Sequence, residues 1–508
     1  MMKIFNSDQI REIDEYTIKN EPVLSVDLME RAAVRLFKWF SEKFERSKHV
    51  LIFAGPGNNG GDGLALARIL AANRYDPEVF YVKFTEKTSD DWLENRQRLE
   101  KFTTVPFNII SKSDDFPVIS SEDIIIDAIF GSGLTRPVEG LPAEVIKHIN
   151  QSDSTKISID IPSGLFGENN SKNSYDCVVK TDYTLSFQFP KLSFLFVENE
   201  MFTGQWIVLP IGLNNTAIKN ISTPYFFIQN EDVAPMIRSR KKFDHKGMFG
   251  HGLLVAGSHG KMGAAVLGAK AALRSGIGLL TCHIPSEGNL ILQSTVPEAM
   301  LETDNSEMFI SDSLETDKFS AVGIGPGLGT EQESQKVLQN LLLTCKKPMV
   351  IDADALNTLG LNRNWFSLLN ENIILTPHPK EFERLTGTAE NSYARLQNQK
   401  EFSKTHNCIV VLKGAYTSVS TPDGKVYFNS TGNPGMASGG SGDVLTGIIL
   451  SLLTQGYAPE NAALAGVYLH GMAGDIAAEK SCFESMLASD IINEIGHAYN
   501  RIKTGNNR

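Results

Sequence analysis

The stretch HVLIFAGPGNNGGDGLALARILAAN, residues 49–73, sets the architecture of the first half of the chain. An apolar run leads into five glycines within positions 55–63, and a second apolar run of small and branched residues follows. A strand, a tight glycine turn and a helix in that order open a βαβ unit. Further apolar runs follow at EVFYVKF (78–84), DIIIDAIF (123–130) and KISIDIP (156–162), with DDWLENRQRLEKF (90–102) patterned as a helix among them. Short buried runs alternating with helices predict a parallel sheet covered on both faces, an α/β domain.

Within the turn, Gly55, Gly57 and Gly60 satisfy the spacing of a dinucleotide fingerprint. That fingerprint needs an acidic residue at the end of the next strand, where this chain has Lys83. Asn58, Asn59 and Asp62 also make the turn unusually polar, so a hydride-transfer nicotinamide site is not expected, although a helix N-terminus still suits a phosphate. Two more predicted strands break off in polar turns, DAIFGSGLTRP (127–137) and DIPSGL (160–165). Strand ends of an open parallel sheet share one crevice, so Asn59, Asp62, Asp127, Asp160 and Ser163 are expected to converge. Each turn alone also reads as a capping Asp or Ser, but three in succession favour a site.

The second half repeats the alternation with HGLLVAGS (251–258), AVGIGPG (321–327), PMVIDADAL (348–356), NIILTPHP (372–379) and CIVVLKG (408–414), ending in helical SGDVLTGIILSLLTQG and PENAALAGVYLHGMAGDIAAE. Before the first of those helices lies GNPGMASGGSGD (432–443), with five glycines in twelve positions. Such a loop turns backbone amides inward, and the helix end behind it adds about 0.3–1 kcal/mol of attraction for an anion. A phosphoryl group is the expected occupant. A carboxylate beside bound phosphate is repelled unless it serves in proton transfer or metal binding, so Asp443 reads either as a cap or as the base that takes a proton from an acceptor hydroxyl.

A chain of 508 residues exceeds one core, since cores stop growing at roughly 250–300 residues. The polar stretch NNTAIKNISTP (214–224) suggests residues 1–215 and 233–508 as domains joined by a linker at 216–232. A net charge of −11, with RSRKKFDHKG (238–247) as a short basic patch, argues against nucleic-acid and membrane partners. Cys177, Cys282, Cys345, Cys408 and Cys482 form no CxxC pair and are expected as buried free thiols. No signal-like or membrane-spanning run occurs, and a cytoplasmic homo-oligomer is expected.

With NNGGDG, DAIFGSGL, DIPSG and TLSFQFPK (184–191), the first half resembles the NAD(P)H-hydrate epimerases. The resemblance implies a Rossmann-like three-layer sandwich that holds a hydrated nicotinamide dinucleotide on two loops. The first loop is Asn58, Asn59, Gly60, Gly61 and Asp62; the second runs through Gly131, Ser132, Gly133, Leu134, Thr135, Arg136 and Pro137. It also implies a potassium ion on Asn59, Asp127 and Ser163, and makes Asp160 the substrate-contacting acid/base group.

The second half resembles the nucleotide-dependent NAD(P)H-hydrate dehydratases of ribokinase-like fold. The resemblance rests on residues 245–281, GIGPGLG (323–329), IDADALN (351–357), TPHPKEFERL (376–385), LKGAYT (412–417) and the 432–443 loop. It implies that Ala264, Gly327, His378 and Asp443 meet the hydrated cofactor, with Asp443 catalytic. Lys413, Gly414, Ala415, Tyr416 and Thr417, with Gly442, would hold ADP or ATP, and magnesium would accompany the phosphates; Asp352 and Asp354 are either caps or its ligands. Lys380 stands where that family commonly has glycine. Joined in one chain, the two halves imply a bifunctional lyase and isomerase repairing NADHX and NADPHX: one interconverts the R and S epimers, the other dehydrates the S form at the expense of ADP or ATP. The alternative is a kinase of a vitamin or sugar hydroxyl fused to a ligand-binding module, which predicts an accumulating phosphorylated product.

Overall fold

Alternating apolar runs and helices build two α/β units in the computed structural model, which describes residues 1–21 and 23–505. One compact unit spans Lys3–Thr223, and the body of the other begins at Pro224. In the first, seven strands form one sheet: β1 (His49–Ala54), β2 (Asp76–Val82), β3 (Phe107–Ile110), β4 (Ile124–Ala128), β5 (Thr155–Ile159), β6 (Tyr183–Phe187) and β7 (Gln205–Leu209). Their order is β3-β2-β1-β4-β5-β6-β7 and every pairing is parallel. Apolar residues on both faces explain the unbroken burial of β4, where Ile124, Ile125 and Ile126 are at most 2% exposed. The chain proceeds outward from β1 in one direction and then, from β4, in the other, so the β1/β4 junction is a topological switch point.

The glycines of the first turn are required by packing. A methyl on Gly60 would lie 1.8 Å from the Gly55 carbonyl oxygen, and one on Gly55 would lie 2.1 Å from that of Ile129. The helix Asn58–Ala72 can therefore seat against β1 and β4 only without side chains there. Gly60→Ala is expected to destabilise the unit by about 1–3 kcal/mol or more, seen as an earlier unfolding transition; an unchanged melting curve would contradict this packing.

In the second unit the strands are β8 (Tyr225–Ile228), β9 (His251–Val255), β10 (Leu279–Ile284), β11 (Met300–Thr303), β12 (Ala321–Ile324), β13 (Met349–Ile351), β14 (Ile373–Leu375), β15 (Ile409–Leu412), β16 (Ser418–Ser420) and β17 (Val426–Asn429). They run β8-β17-β16-β15-β14-β13-β12-β9-β10-β11. The pairings are parallel except around β16, which is antiparallel to both neighbours. The switch point here is β9/β12. The helix Ser441–Thr454 is apolar on all sides and buried almost throughout, as a central helix must be. It packs closely on Met262–Arg274 because a methyl on Gly447 would lie 2.2 Å from the Gly268 carbonyl oxygen.

Two expectations need correction. The stretch 216–232 is not an irregular linker: it carries the helix Asn215–Asn220 and strand β8, which pairs with β17 and belongs to the second sheet. The cysteines are free, but only Cys177, Cys282 and Cys408 are buried, whereas Cys345 is half-buried and Cys482 exposed. Among the described residues, no helix is long and apolar enough to cross a membrane.

Candidate active sites

At the β1/β4 switch point the first unit opens into a cavity of about 520 Å³. Asn58, Asn59, Asp62, Gly131, Ser132, Gly133, Leu134 and Asp160 line it, as do Asp14, Phe84, Phe130, Phe187 and Lys191. Gly60 and Gly61 are not among the residues lining it: a methyl on the first would meet Gly55 and one on the second Met29. Thr135, Arg136 and Pro137 are also absent from its wall, and the first two are exposed.

Asp160 follows β5 with a φ of 67°, in the left-handed region that costs a side-chain-bearing residue energy and that Asp tolerates better than most. Its amide donates to the Leu185 carbonyl at 2.8 Å, holding that turn. Its Oδ1 meets the Lys191 Nζ at 2.7 Å and accepts the Phe187 N–H at 3.2 Å. Lys191 is 2% exposed, so the pair is buried and the ammonium depends on this carboxylate. Nearby, burial pushes Asp62 well above the carboxylate range, with Asp160 and Asp14 adding repulsion.

Beneath the cavity, fully buried Asp127 accepts from Ser158 Oγ and the Ser163 amide, each at 2.8 Å, and from the Ser163 hydroxyl. Burial still raises its pKa against those bonds. Ser163 Oγ also accepts the Phe130 N–H at 2.8 Å. Asn59 donates to the Phe130 carbonyl at 2.9 Å, while its buried Oδ1 has no hydrogen-bond partner among the described residues. Asn59, Asp127, Phe130 and Ser163 thus form one connected set of oxygen-rich groups.

In the second unit the polar cluster gathers at the ends of β12, β13, β14 and β15. Asp352 follows β13; it takes the Lys413 Nζ at 2.9 Å and the Thr446 hydroxyl at 2.7 Å. Lys413 Nζ also lies 3.9 Å from Glu381. Burial opposes its charge, yet Asp352 and Glu381 raise its pKa above the ordinary lysine value. Asp354 is held by Lys261 at 3.1 Å and by the Gly329 amide at 2.9 Å. Gly327, with a φ of 63°, leaves room beside Lys261 and Ala264 that a methyl would fill at 2.8–3.1 Å.

The glycine loop is narrower as an anion cradle than its composition suggests. Its amides at Gly432 and Gly435 are already taken, by Asp475 at 3.0 Å and Asn433 at 3.1 Å. Among the described residues no acceptor takes the amides of Gly439 and Gly440, which precede the helix, or those of Gly442 and Asp443 in its first turn. Gly440, with a φ of 91°, is the N-cap, so Asp443 is not a cap and its carboxyl is left for other work. Burial and then Asp352 push Asp443 up to about 6, with Lys413 pulling the other way. A methyl on Gly442 would lie 3.3 Å from Lys413 Nζ, which places that ammonium beside the helix N-terminus.

His378 caps the helix Pro379–Thr386, its Nδ1 accepting from the amides of Lys380 and Glu381. Burial and the Lys413 charge lower its pKa, so it is neutral. Lys380 is exposed and contributes its amide rather than its side chain to this turn. Gly414 and Thr417 close a turn on each other at 3.0–3.2 Å, after β15. Sequence reasoning missed Asp14, Lys191, Lys261, Glu381 and Thr446. Thr446 stands three residues after Asp443 on its helix, a spacing that signals a shared face. Among the described residues, no group of three or more His, Cys, Asp or Glu is arranged as a metal site.

The family model described as NAD(P)H-hydrate dehydratase matches residues 252–497, and that described as YjeF-related protein N-terminus matches 25–193. The bifunctional NAD(P)H-hydrate repair enzyme Nnr of Moorella thermoacetica is 34% identical, covering 97% of this chain and 95% of its own. That of Escherichia coli is 32% identical, covering 99% and 95%. A solved ADP/ATP-dependent NAD(P)H-hydrate dehydratase from Bacillus subtilis, co-crystallized with ATP/Mg2+, is 31% identical; it covers 55% of this chain and 98% of its own, with a TM-score of 0.48. Because the likeness runs through both units and almost end to end, the chain belongs to the bifunctional NAD(P)H-hydrate repair enzymes.

Proposed function

We propose that the two units share one repair task, the first interconverting the C6 epimers of hydrated NADH or NADPH and the second dehydrating the S epimer with ADP or ATP. One observation carries the reading: a carboxylate with a pKa of about 6 stands in the first turn of a glycine-capped helix, beside the Asp352–Lys413 pair. That is a base, an anion anchor and a fixed positive charge in one place.

Hydroxide leaves poorly near neutral pH, whereas phosphate leaves readily. Asp443 takes the proton of the C6 hydroxyl as its oxygen attacks the terminal phosphorus, and the cleaved nucleotide departs. The amides of Gly442 and Asp443 and the ammonium of Lys413 stabilise the transferring group. Expulsion of phosphate, driven by the ring-nitrogen lone pair, and loss of the C5 proton restore the dihydronicotinamide. A vitamin or sugar kinase would stop at the phosphorylated product, and the family relationship does not favour it. Asp352 and Asp354 are both engaged by lysines, so they suit a magnesium ion that arrives on the nucleotide and keeps its waters. Bound there, magnesium supplies charge neutralisation to the phosphates.

In the first unit, Asn59 with its unpartnered Oδ1, together with Asp127, Phe130 and Ser163, fits a potassium ion. Such an ion would supply a positive charge that ties the 130–134 loop to the strand ends. Asp160 acts as proton acceptor toward the C6 hydroxyl. The test is incubation of the protein with a mixture of R and S hydrated NADH and ADP or ATP in turn, following the near-ultraviolet absorbance of the dihydronicotinamide. Full recovery with release of phosphate is expected. Build-up of a phosphorylated compound without that absorbance would refute the dehydratase reading, and recovery halting at the S fraction would refute the epimerase one.

A further inference from the structure

We propose that Asp14 is a second catalytic acid/base group of the epimerising site, working with Asp160 in the same cavity. The inference rests on the epimerase reading of the first unit and deepens it. The helix Ser7–Asn20 presents Ser7, Ile10, Arg11 and Asp14 to the cavity, at positions i, i+3, i+4 and i+7, so one helical face forms a wall. The Ser7 hydroxyl bonds the Ser132 carbonyl and pins that wall to the 131–134 loop. Asp14 is the carboxylate this face contributes to the cavity wall, which Asp160 and Lys191 also line, near enough to act on it through their charges.

The groups around Asp14 explain its task. Glu15 and Arg11 belong to its own helix; Asp62 comes from the helix Asn58–Ala72, Asp160 from the turn after β5, and Lys191 from the segment after β6. Lys191 is committed to Asp160 at 2.7 Å and leaves Asp14 without an ammonium of its own. Asp14 takes no hydrogen bond among the described residues, and burial followed by the Asp160 charge pushes it up to about 7. Two carboxyl groups in one cavity, one paired with a buried ammonium and the other raised by burial toward its protonated form, can serve as an acid/base pair.

The hydroxyl-bearing carbon of the hydrated ring is also bonded to the ring nitrogen, and its inversion needs both groups. The Asp160 carboxylate takes the hydroxyl proton, the O–H pair becomes the C6=O bond, and the C6–N1 pair moves onto nitrogen, which receives the Asp14 proton. Rotation about C5–C6 turns the other face of the aldehyde toward the nitrogen. N1 then attacks, Asp14 recovers the N–H proton, and Asp160 returns its proton to the oxygen. No oxidant, reductant or co-reactant is consumed.

The test is Asp14→Asn in the full chain, with the purified R epimer of hydrated NADPH as substrate and chromatographic separation of the epimers as readout. A fall in kcat of about 10²-fold or more with KM nearly unchanged is expected, since the group acts in the chemical step. In the wild type kcat is expected to decline as the pH rises through about 7 and Asp14 loses its proton; that limb should vanish in the variant. Asn matches the shape of the protonated acid, so the melting temperature should hold, and Asp14→Glu should restore part of the rate. A rate within about threefold of wild type, or a loss tracked by lowered melting and not relieved by Glu, overturns the assignment. Failure of the wild-type chain to interconvert the epimers sinks the epimerase reading itself.

Discussion

Asp443→Asn is expected to slow the nucleotide-dependent recovery of NADH from the pure S epimer by about 10²–10⁴-fold, the usual contribution of a positioned general base. The amide keeps the side-chain volume and leaves Lys413 with its principal partner Asp352, so nucleotide binding measured by calorimetry should persist. The pH profile separates a base from a structural residue. Wild-type kcat/KM should fall about tenfold per unit below pH 6, as the carboxylate raised to about 6 takes up its proton, and the residual rate of the variant should lack that limb. Stability follows the opposite sense. A carboxyl whose pKa is raised on folding contributes most below its unfolded value near 4, and this contribution is lost as the pH rises through about 6. At pH 7 the Asn variant should therefore melt no lower than wild type. Full turnover in Asp443→Asn would remove the proposed role.

Asp160→Asn should abolish most interconversion of the R and S epimers, by about 10²-fold or more, while dehydration of the supplied S epimer continues. Here catalysis and stability are entangled, because Lys191 is 2% exposed and would lose its counter-ion. Breaking a buried pair from one side costs about 3–5 kcal/mol, so the first unit of this variant should melt early. Adding Lys191→Met removes the stranded charge. The double variant should recover much of the stability and none of the epimerisation, a split that a purely structural Asp160 cannot produce. Retained epimerisation in either variant would show that Asp160 is not the proton acceptor.

Much of both sites was legible in the sequence because polar turns that interrupt buried strands are local features. Asn59, Asp127, Asp160 and Ser163 each announce themselves within a few residues of an apolar run, and parallel-sheet topology supplies their convergence. The glycines carry a second meaning that composition does not show. Gly60 and Gly61 read as ligand-loop residues, and in the fold their lack of a side chain also lets the helix Asn58–Ala72 approach Gly55 and Met29. In the 432–443 loop, glycine density suggested a cradle along its length, but Asp475, from a distant helix, occupies an amide that composition marked as open. Strand β8 is hidden for a different reason: Tyr225–Ile228 is too short to show a period, and its pairing with β17 is what makes it a strand.

Periodicity, turn chemistry and motif order established two α/β units, each with a glycine turn and the polar groups at its strand ends. These properties depend on a residue and its near neighbours in the chain. Charge state and partnership depend instead on which distant groups share a low-dielectric space. Asp14 is raised by burial and by Asp160 only because the N-terminal helix lines the β1/β4 cavity, and Asp443 stands near a pKa of 6 only because folding buries it beside Asp352. Burial and Coulomb interaction act through space, so the proton inventory of both sites is a property of the folded chain.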